Sequence, residues 1–278
     1  MTSYLQTNWD YNSEQLVEVY DELPLWAAPF GLKLLDGIRY KKGLTVLDIG
    51  FGAGFPLTEI AMRLGMKSKI YGIDPWDAAV NRALKKIAFF GIKNIEIIRG
   101  KAENLPLGDN SIDLIVSNNG INNVSDPDLV LAECSRVMKP GGQFIHTMNL
   151  RDTMLEFYTV LSEVLKEMNL HDCLDRMHKQ IEKKRKALEP YLEKLTANGF
   201  LVESVKHDSF QYQFTDGTSL LNHHFIRLSF LDGWKEIVPS AKQPEVFERT
   251  ENELNRQSEE TGLVKLSVPF VVIDCKKK

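Results

Sequence analysis

The sequence predicts an α/β fold: a doubly wound, seven-stranded, mostly parallel sheet with helical insertions over its ligand-binding edge. Three observations predict it. From Leu44 onward, short β-branched runs alternate with segments of helical period, as parallel βα units do. A glycine-rich turn stands where the first such run passes into the first helix. With 278 residues and 43% hydrophobic side chains, the chain is long and apolar enough to bury one large core.

The first five strands are expected at Leu44–Ile49, Lys69–Asp74, Ile95–Arg99, Ser111–Asn118 and Gln143–Asn149. Pro56 suits the first turn of a helix whose apolar face is Leu57, Ile60, Ala61 and Leu64, because its ring fixes a helical φ. Asp77 can cap the next helix, with Val80, Ala83, Leu84 and Ile87 inward and Gly91 at its end. Asp126 and Pro127 open a third. Its stripe of Val130, Cys134, Val137 and Met138 places Cys134 in the core rather than at a reactive site. Pro140, Gly141 and Gly142 then turn the chain into the fifth strand.

Beyond Leu150 the rhythm slows. Met154, Tyr158, Leu161, Leu165 and Met168 mark one amphipathic helix, and Leu174, Met177, Ile181 and Leu188 a second, whose charge run Glu182 to Lys186 reads as a solvated face. Pro190 starts a short helix ending near Gly199. Leu201–Phe214 and Val264–Cys275 complete the seven strands, with Thr218–Val238 as a single helix between them. The expected organisation is one domain over 1–278: an N-terminal helical lid (1–42), a binding core (43–150) and two substrate-side insertions (151–189 and 216–262).

A net charge of -4 gives no electrostatic footprint for nucleic-acid phosphates and favours a small-molecule partner. Three cysteines, Cys134, Cys173 and Cys275, share no CxxC spacing, so neither a disulfide framework nor a zinc site is indicated, and no metal site is expected. No window approaches about 18 apolar residues and Met1 to Asp10 carries no signal pattern, which reads as a cytoplasmic protein without a membrane span.

The central feature is Val46-Leu47-Asp48-Ile49-Gly50-Phe51-Gly52-Ala53-Gly54. Gly50, Gly52 and Gly54 let the backbone turn tightly and approach a ligand beside a helix N-terminus. A dinucleotide fingerprint needs its third glycine at position 55, which is Phe55. Asp48 lies at the strand end. Two like charges ~5 Å apart cost ~3 kcal/mol at an effective dielectric near 20, so a pyrophosphate is a poor guest beside an ionised Asp48, whereas S-adenosylmethionine (SAM), with an ammonium and a sulfonium against one carboxylate, is a good one. The plainer reading of Asp48 is a cap on local backbone amides. Asp74 ends the second strand 20 residues after Gly54, where a carboxylate can accept hydrogen bonds from both ribose hydroxyls. Trp76 follows, either against an adenine or as an ordinary packed tryptophan.

With these residues in place, the stretch from about Gly43 to Asn149 resembles the class I SAM-dependent methyltransferases, and within them the group containing the ubiquinone and menaquinone biosynthesis C-methyltransferases. The matching segments are VLDIGFGAG (Val46 to Gly54), YGIDPW (Tyr71 to Trp76), GKAENLPLGDNSIDLIVS (Gly100 to Ser117), NGINNVSDPD (Asn119 to Asp128) and RVMKPGG (Arg136 to Gly142). The resemblance implies a Rossmann-like sheet whose last strand is antiparallel, and SAM as cofactor. It implies that Gly50, Gly52 and Gly54 approach the methionine portion, that Asp74 holds the ribose, that Ala102 and Glu103 border the adenine, and that Asn118 offers its carbonyl to the methionine ammonium. One departure stands out. The family often carries an acid where this chain has Lys101, so the backbone or Glu103 is expected to meet the adenine amino group.

The topology puts both insertions above the cofactor, with Tyr20, Asp21, Pro24, Trp26 and Phe30 joining them as a substrate lid; packing without a ligand role is the alternative. On a helical wheel for Thr218–Val238, His224 falls among Leu220, Leu221, Phe225, Leu228 and Leu231. It reads either as a buried core histidine or, if that face lines the cavity, as the candidate general base. His223 points about a quarter-turn away, and His146 on the fifth strand has less support. The segment Asn118-Asn119-Gly120-Ile121 lacks the Asn-Pro-Pro-aromatic run of amino-group methyltransferases acting on adenine or glutamine. The expected reaction is methyl transfer from SAM to a small, partly hydrophobic metabolite. Two alternatives are a non-catalytic SAM-binding module and an NAD-dependent oxidoreductase, the latter disfavoured by the glycine spacing and Asp48.

Overall fold

In a parallel sheet both faces of a central strand are covered, so its residues are apolar without alternation. Val46, Leu47 and Ile49 meet that condition and are buried at the middle of the sheet. The computed structural model describes residues 3–6, 9–21 and 26–278. Pro24 of the expected lid lies outside them. The first helices are α1 (Glu14–Asp21) and α2 (Ala27–Gly37). Then follow β1 (Thr45–Ile49), α3 (Leu57–Leu64), β2 (Lys69–Asp74), α4 (Asp77–Phe89), β3 (Ile95–Arg99), β4 (Ile112–Asn118), α5 (Pro127–Val137) and β5 (Met138–Asn149). The remaining strands are β6 (Phe200–Phe214) and β7 (Val264–Lys277).

The seven strands run in the order β3-β2-β1-β4-β5-β7-β6. β1 pairs in parallel with β2, from Thr45 opposite Lys69 to Ile49 opposite Ile73, and on its other edge with β4, Val46 opposite Leu114. β7 runs antiparallel to β5, from Gln143 opposite Lys276 to Asn149 opposite Phe270. Strand order therefore reverses between β1 and β4, and the crevice beyond their carboxyl ends is where a doubly wound sheet binds ligands.

The chain divides into two compact units: residues 10–149, 187–208 and 270–278 form the sheet unit, and residues 1–9, 150–186 and 209–269 the helical unit. In the sheet unit, Asp126 caps α5, its Oδ1 accepting the N–H groups of Asp128 (3.0 Å) and Leu129 (3.1 Å). Cys134 is fully buried in α5, and burial raises its thiol pKa, which keeps it inert. Asp77 does not cap α4. It is the helix's first residue, and its carboxylate takes a hydrogen bond from Arg99 Nη1 at 2.8 Å instead.

α8 (Leu188–Ala197) belongs to the sheet unit, and the helical unit contains α6 (Leu155–Glu167), α7 (His171–Lys184) and α12 (Gln243–Thr261). The expected single helix over Thr218–Val238 is broken into α9 (Gly217–Asn222), α10 (His224–Ile226), a wide π turn at Arg227–Leu231 and α11 (Asp232–Ile237). His223 is the breakpoint, with extended dihedrals (φ -63, ψ 128). The apolar pairs Leu220-Leu221 and Phe225-Ile226 are all buried, and one helical stripe does not bury both. The Glu182 to Lys186 run also departs from a purely solvated face. α7 ends at Lys184, Arg185 takes extended dihedrals (φ -135, ψ 100), and its side chain turns inward to 5% exposure.

Candidate active site

A cavity of about 440 Å³ opens at the strand-order reversal, within the size range of small-molecule and cofactor pockets. All of its lining belongs to the sheet unit. Its floor is the turn after β1. Gly50 (φ +75), Gly52 (φ +54) and Gly54 (φ +110) hold conformations that L side chains rarely adopt, which explains the residue type at each. Gly50 also lies against Gly120 at the end of β4, so close that a Cβ on Gly50 would stand 2.6 Å from the Gly120 Cα. Neighbours fix the loop from outside: Thr58 Oγ1 donates to the Gly54 carbonyl (3.0 Å) and Lys86 Nζ to that of Ala53 (3.0 Å).

Asp74 is the best-defined polar group in the cavity. Its Oδ2 accepts the Gly52 N–H and its Oδ1 the Trp76 N–H, both at 2.8 Å. Burial raises its pKa, while these two backbone hydrogen bonds act in the opposite direction. A carboxylate offers about four acceptor sites, so each oxygen keeps capacity toward the cavity. Trp76 lines the same wall, with its indole N–H donating to the Tyr11 carbonyl (2.7 Å) and its ring packed with Val17, Ala78 and Ala79. Ala102 and Glu103 line the neighbouring wall beside exposed Lys101. Glu103 Oε1 is engaged by the N–H groups of Ser125 (2.8 Å) and Asp126 (3.1 Å), which ties the strand-three loop to the start of α5.

Asn118 lines the opposite side, held by Nδ2 donation to the Ala27 carbonyl (2.9 Å) and by Thr147 Oγ1 donating to its Oδ1 (3.1 Å). The Asn119 N–H donates to the same threonine oxygen (3.0 Å), and Asn122 Nδ2 bridges Asn119 Oδ1 and Asn149 Oδ1. Sequence reasoning had not singled out Asn119, Asn123, Phe55 or Ala27 as lining residues. Phe30 of the expected lid is fully buried, edge-on to Phe270 at 4.7 Å, whereas Trp26 does line the cavity.

Seven of the nine candidate cofactor residues line the cavity; Gly54 is buried in the turn against Ala83 and Thr58, outside the lining, and Asp48 is placed differently again. It is completely buried behind the turn, outside the cavity lining, and neither carboxylate oxygen has a hydrogen-bond partner among the described residues. Burial, then the nearby charge of Asp74, pushes its pKa well above the usual carboxylate range. The folded state thus holds this proton more tightly than the unfolded chain. The stabilisation from that proton is complete below the unfolded pKa and lost as pH rises through the folded one. Asp48→Asn should gain thermal stability over the parent at about pH 9, with the gain shrinking toward about pH 5. Parallel pH–melting curves would show that Asp48 does not carry this proton.

His224 is partly buried in the helical unit, edge-on to Trp9 at 5.2 Å, and is not among the cavity's lining residues. His146 is buried on β5, stacked on Phe144, and burial lowers its pKa to about 3, so the ring is neutral.

A methyltransferase-domain family model matches residues 40–223, most of the chain and all of the cavity lining except Trp26 and Ala27. The chain belongs to the class I SAM-dependent methyltransferases. A demethylmenaquinone methyltransferase of Bacillus mycoides is 33% identical to this methyltransferase over 117 residues, 42% of this chain and 49% of the relative. The chain spans about half the length of the curated relatives it matches. Among solved structures, the YcgJ protein of Bacillus subtilis superposes with a TM-score of 0.56 at 17% identity, covering 90% of this chain and 97% of that one. The geranyl diphosphate C-methyltransferase of Streptomyces coelicolor superposes with a TM-score of 0.55 at 16% identity, covering 99% and 88%. At such identities the likeness is one of fold. The class I methyltransferase assignment and its SAM cofactor agree with the expectation drawn from the glycine turn and the five matching segments. No helix among the described residues is long and apolar enough to cross a membrane.

Proposed function

We propose that this chain transfers a methyl group from SAM, bound in the cavity at the ends of β1 and β4, to a small and partly hydrophobic acceptor. One observation carries the reading: Asp74, fixed by the Gly52 and Trp76 N–H groups, faces a cavity floored by a turn that only glycines can form. The cradle fits the cofactor. No atom stands within 4 Å of where a Gly52 Cβ would be, so the backbone there is open to a ligand's approach. Asp74 takes the ribose hydroxyls, Ala102 and Trp76 flank the adenine, Glu103 keeps Oε2 for its amino group, and the Asn118 carbonyl takes the methionine ammonium. Gly50 and Gly52 lie along the methionine portion, and Gly54 shapes the turn behind them.

The cofactor supplies a methyl carbon already made electrophilic by a sulfonium. The protein's task is to hold the acceptor in line at near-attack separation and to exclude water, which requires neither a triad nor a metal. A general base is needed only for an acceptor that must lose a proton. The demethylmenaquinone methyltransferases are named for a quinone acceptor, and a quinone-like ring suits the apolar side of this proposal. Their similarity spans under half of this chain, so the acceptor is set by residues of this chain's own.

The test is turnover. With isotopically methyl-labelled SAM and a fractionated metabolite extract, the protein should transfer label to a small molecule, and the Asp74→Ala variant should not. SAM binding with no transfer to any fraction would favour a non-catalytic SAM-binding module.

A further inference from the structure

Buried charges are normally paired, because an uncompensated one loses its hydration without an opposing charge in return. Arg185 breaks this pattern. It follows the last residue of α7, is 5% exposed, and has no carboxylate within salt-bridge distance among the described residues. Its one hydrogen bond there runs from Nη1 to the Tyr158 hydroxyl (3.2 Å), its guanidinium lies 5.0 Å from the Tyr158 ring centroid, and its Nε is buried with no acceptor. The one carboxylate in the adjacent charge run, Glu182, is exposed and faces Arg151 at 3.5 Å.

The surroundings are built rather than incidental. Tyr158 on α6 donates to Gln180 Oε1 (3.0 Å) and accepts from Trp234 Nε1 (3.1 Å), while Gln180 Nε2 donates to the Gly233 carbonyl. Arg185 takes the hydroxyl's remaining lone pair, and α6, α7 and α11 converge on it. Phe157 stacks on Trp234 at 3.7 Å and Phe230 lies 6.0 Å from the same ring, an aromatic cluster in which Phe157 and Trp234 are fully buried. A pre-oriented guanidinium with spare donors is suited to a planar oxyanion, which it can bind through two parallel hydrogen bonds.

We propose that Arg185 is an anion anchor of the helical unit, receiving the oxyanion of a carboxylate or phosphoryl ligand. The alternative is a purely structural arginine that braces Tyr158.

The two roles separate by ligand-dependent melting of the full chain. Inorganic phosphate and benzoate are titrated separately into the parent, Arg185→Met and Arg185→Lys, with SAM as the control ligand. An anchor predicts that at least one oxyanion raises the parent melting temperature, phosphate marking a phosphoryl ligand and benzoate an aromatic carboxylate. Arg185→Met should weaken that binding about 10- to 100-fold, the range for a lost charge-assisted hydrogen bond, with Arg185→Lys intermediate. Ligand-free Arg185→Met should melt at or above the parent, because the Tyr158 hydroxyl keeps Gln180 and Trp234 and a bare buried charge is removed. The SAM-induced shift should be the same in all three proteins. Absence of any oxyanion shift in the parent, an equal shift in Arg185→Met, or an Arg185→Met variant that melts lower or fails to fold would each overturn the anchor. Loss of the SAM response in the parent would instead count against the methyltransferase reading and leave the oxyanion result to be judged separately.

Discussion

Asp74→Ala is expected to abolish nearly all of the stabilisation that SAM gives this protein. A ligand at 100 times its dissociation constant adds about 2.7 kcal/mol to folding stability. Two hydrogen bonds from ribose hydroxyls to a charged acceptor are worth about 1.5–3 kcal/mol each, so their loss lowers affinity by ~100-fold or more. At the same SAM concentration the remaining stabilisation is then about 0.4 kcal/mol or less. The substitution acts on the protein as well. It leaves the Gly52 and Trp76 N–H groups without the acceptors they have at 2.8 Å, and the Gly52 amide belongs to the turn that floors the cavity. Asp74→Asn separates the two effects, since an amide oxygen can still accept one of those backbone bonds while half of the ribose recognition is lost. The measurement is calorimetric titration with SAM beside thermal melting. A SAM response in Asp74→Ala equal to that of the parent would remove the ribose assignment.

The parts of this site that were legible in the sequence are those dictated by backbone geometry. Gly50, Gly52 and Gly54 announce themselves because their φ values exclude other residues, and Asp74 because strand length fixes its distance from the turn. Six of the seven strands begin and end within a residue or two of their expected bounds for the same reason, since β-branched runs between turn signals leave few alternatives; β5 alone starts earlier, at Met138. Asp48 was legible as an acid but not as a buried one. A period-2 strand pattern does not tell which end residues face a cavity and which face the interior, and here the carboxyl lies behind the turn. The helical unit was the least legible. Thr218–Val238 carries helical periodicity throughout, yet competing apolar pairs rotate the buried face and break it at His223. Arg185 was hidden by its neighbours, since a run of charges on a helix is ordinarily solvated and nothing local signals that the helix ends one residue before it.

Gly120→Ala is expected to be the most damaging single-methyl substitution at the site, although the residue touches no part of the expected cofactor through a side chain. A Cβ at Gly120 would stand 2.2 Å from the Ile49 carbonyl oxygen, 2.8 Å from Ser117 Oγ and 2.9 Å from the Gly50 Cα. Two of these are backbone atoms at the end of β1, and the third is engaged in turn: Ser117 Oγ donates to the same Ile49 carbonyl (2.8 Å) and accepts the Ile121 N–H (3.1 Å). No flexible side-chain tip can yield, so the β1 and β4 ends must separate. Overpacking of this kind costs about 1–3 kcal/mol, and backbone clashes fall at the upper end. Because Gly50 moves with the Gly52 amide that fixes Asp74, SAM affinity should fall along with the melting temperature. Gly52→Ala supplies the contrast. Its Cβ meets nothing within 4 Å, so its cost to folding is only the left-handed conformation, about 1–2 kcal/mol, while the methyl occupies the open surface that the ligand would approach. The two variants should therefore differ in kind, with binding lost out of proportion to stability at Gly52 and both lost together at Gly120. A Gly120→Ala protein that melts with the parent and binds SAM equally would mean that the contact between the β1 and β4 turns does not hold the cofactor site in shape.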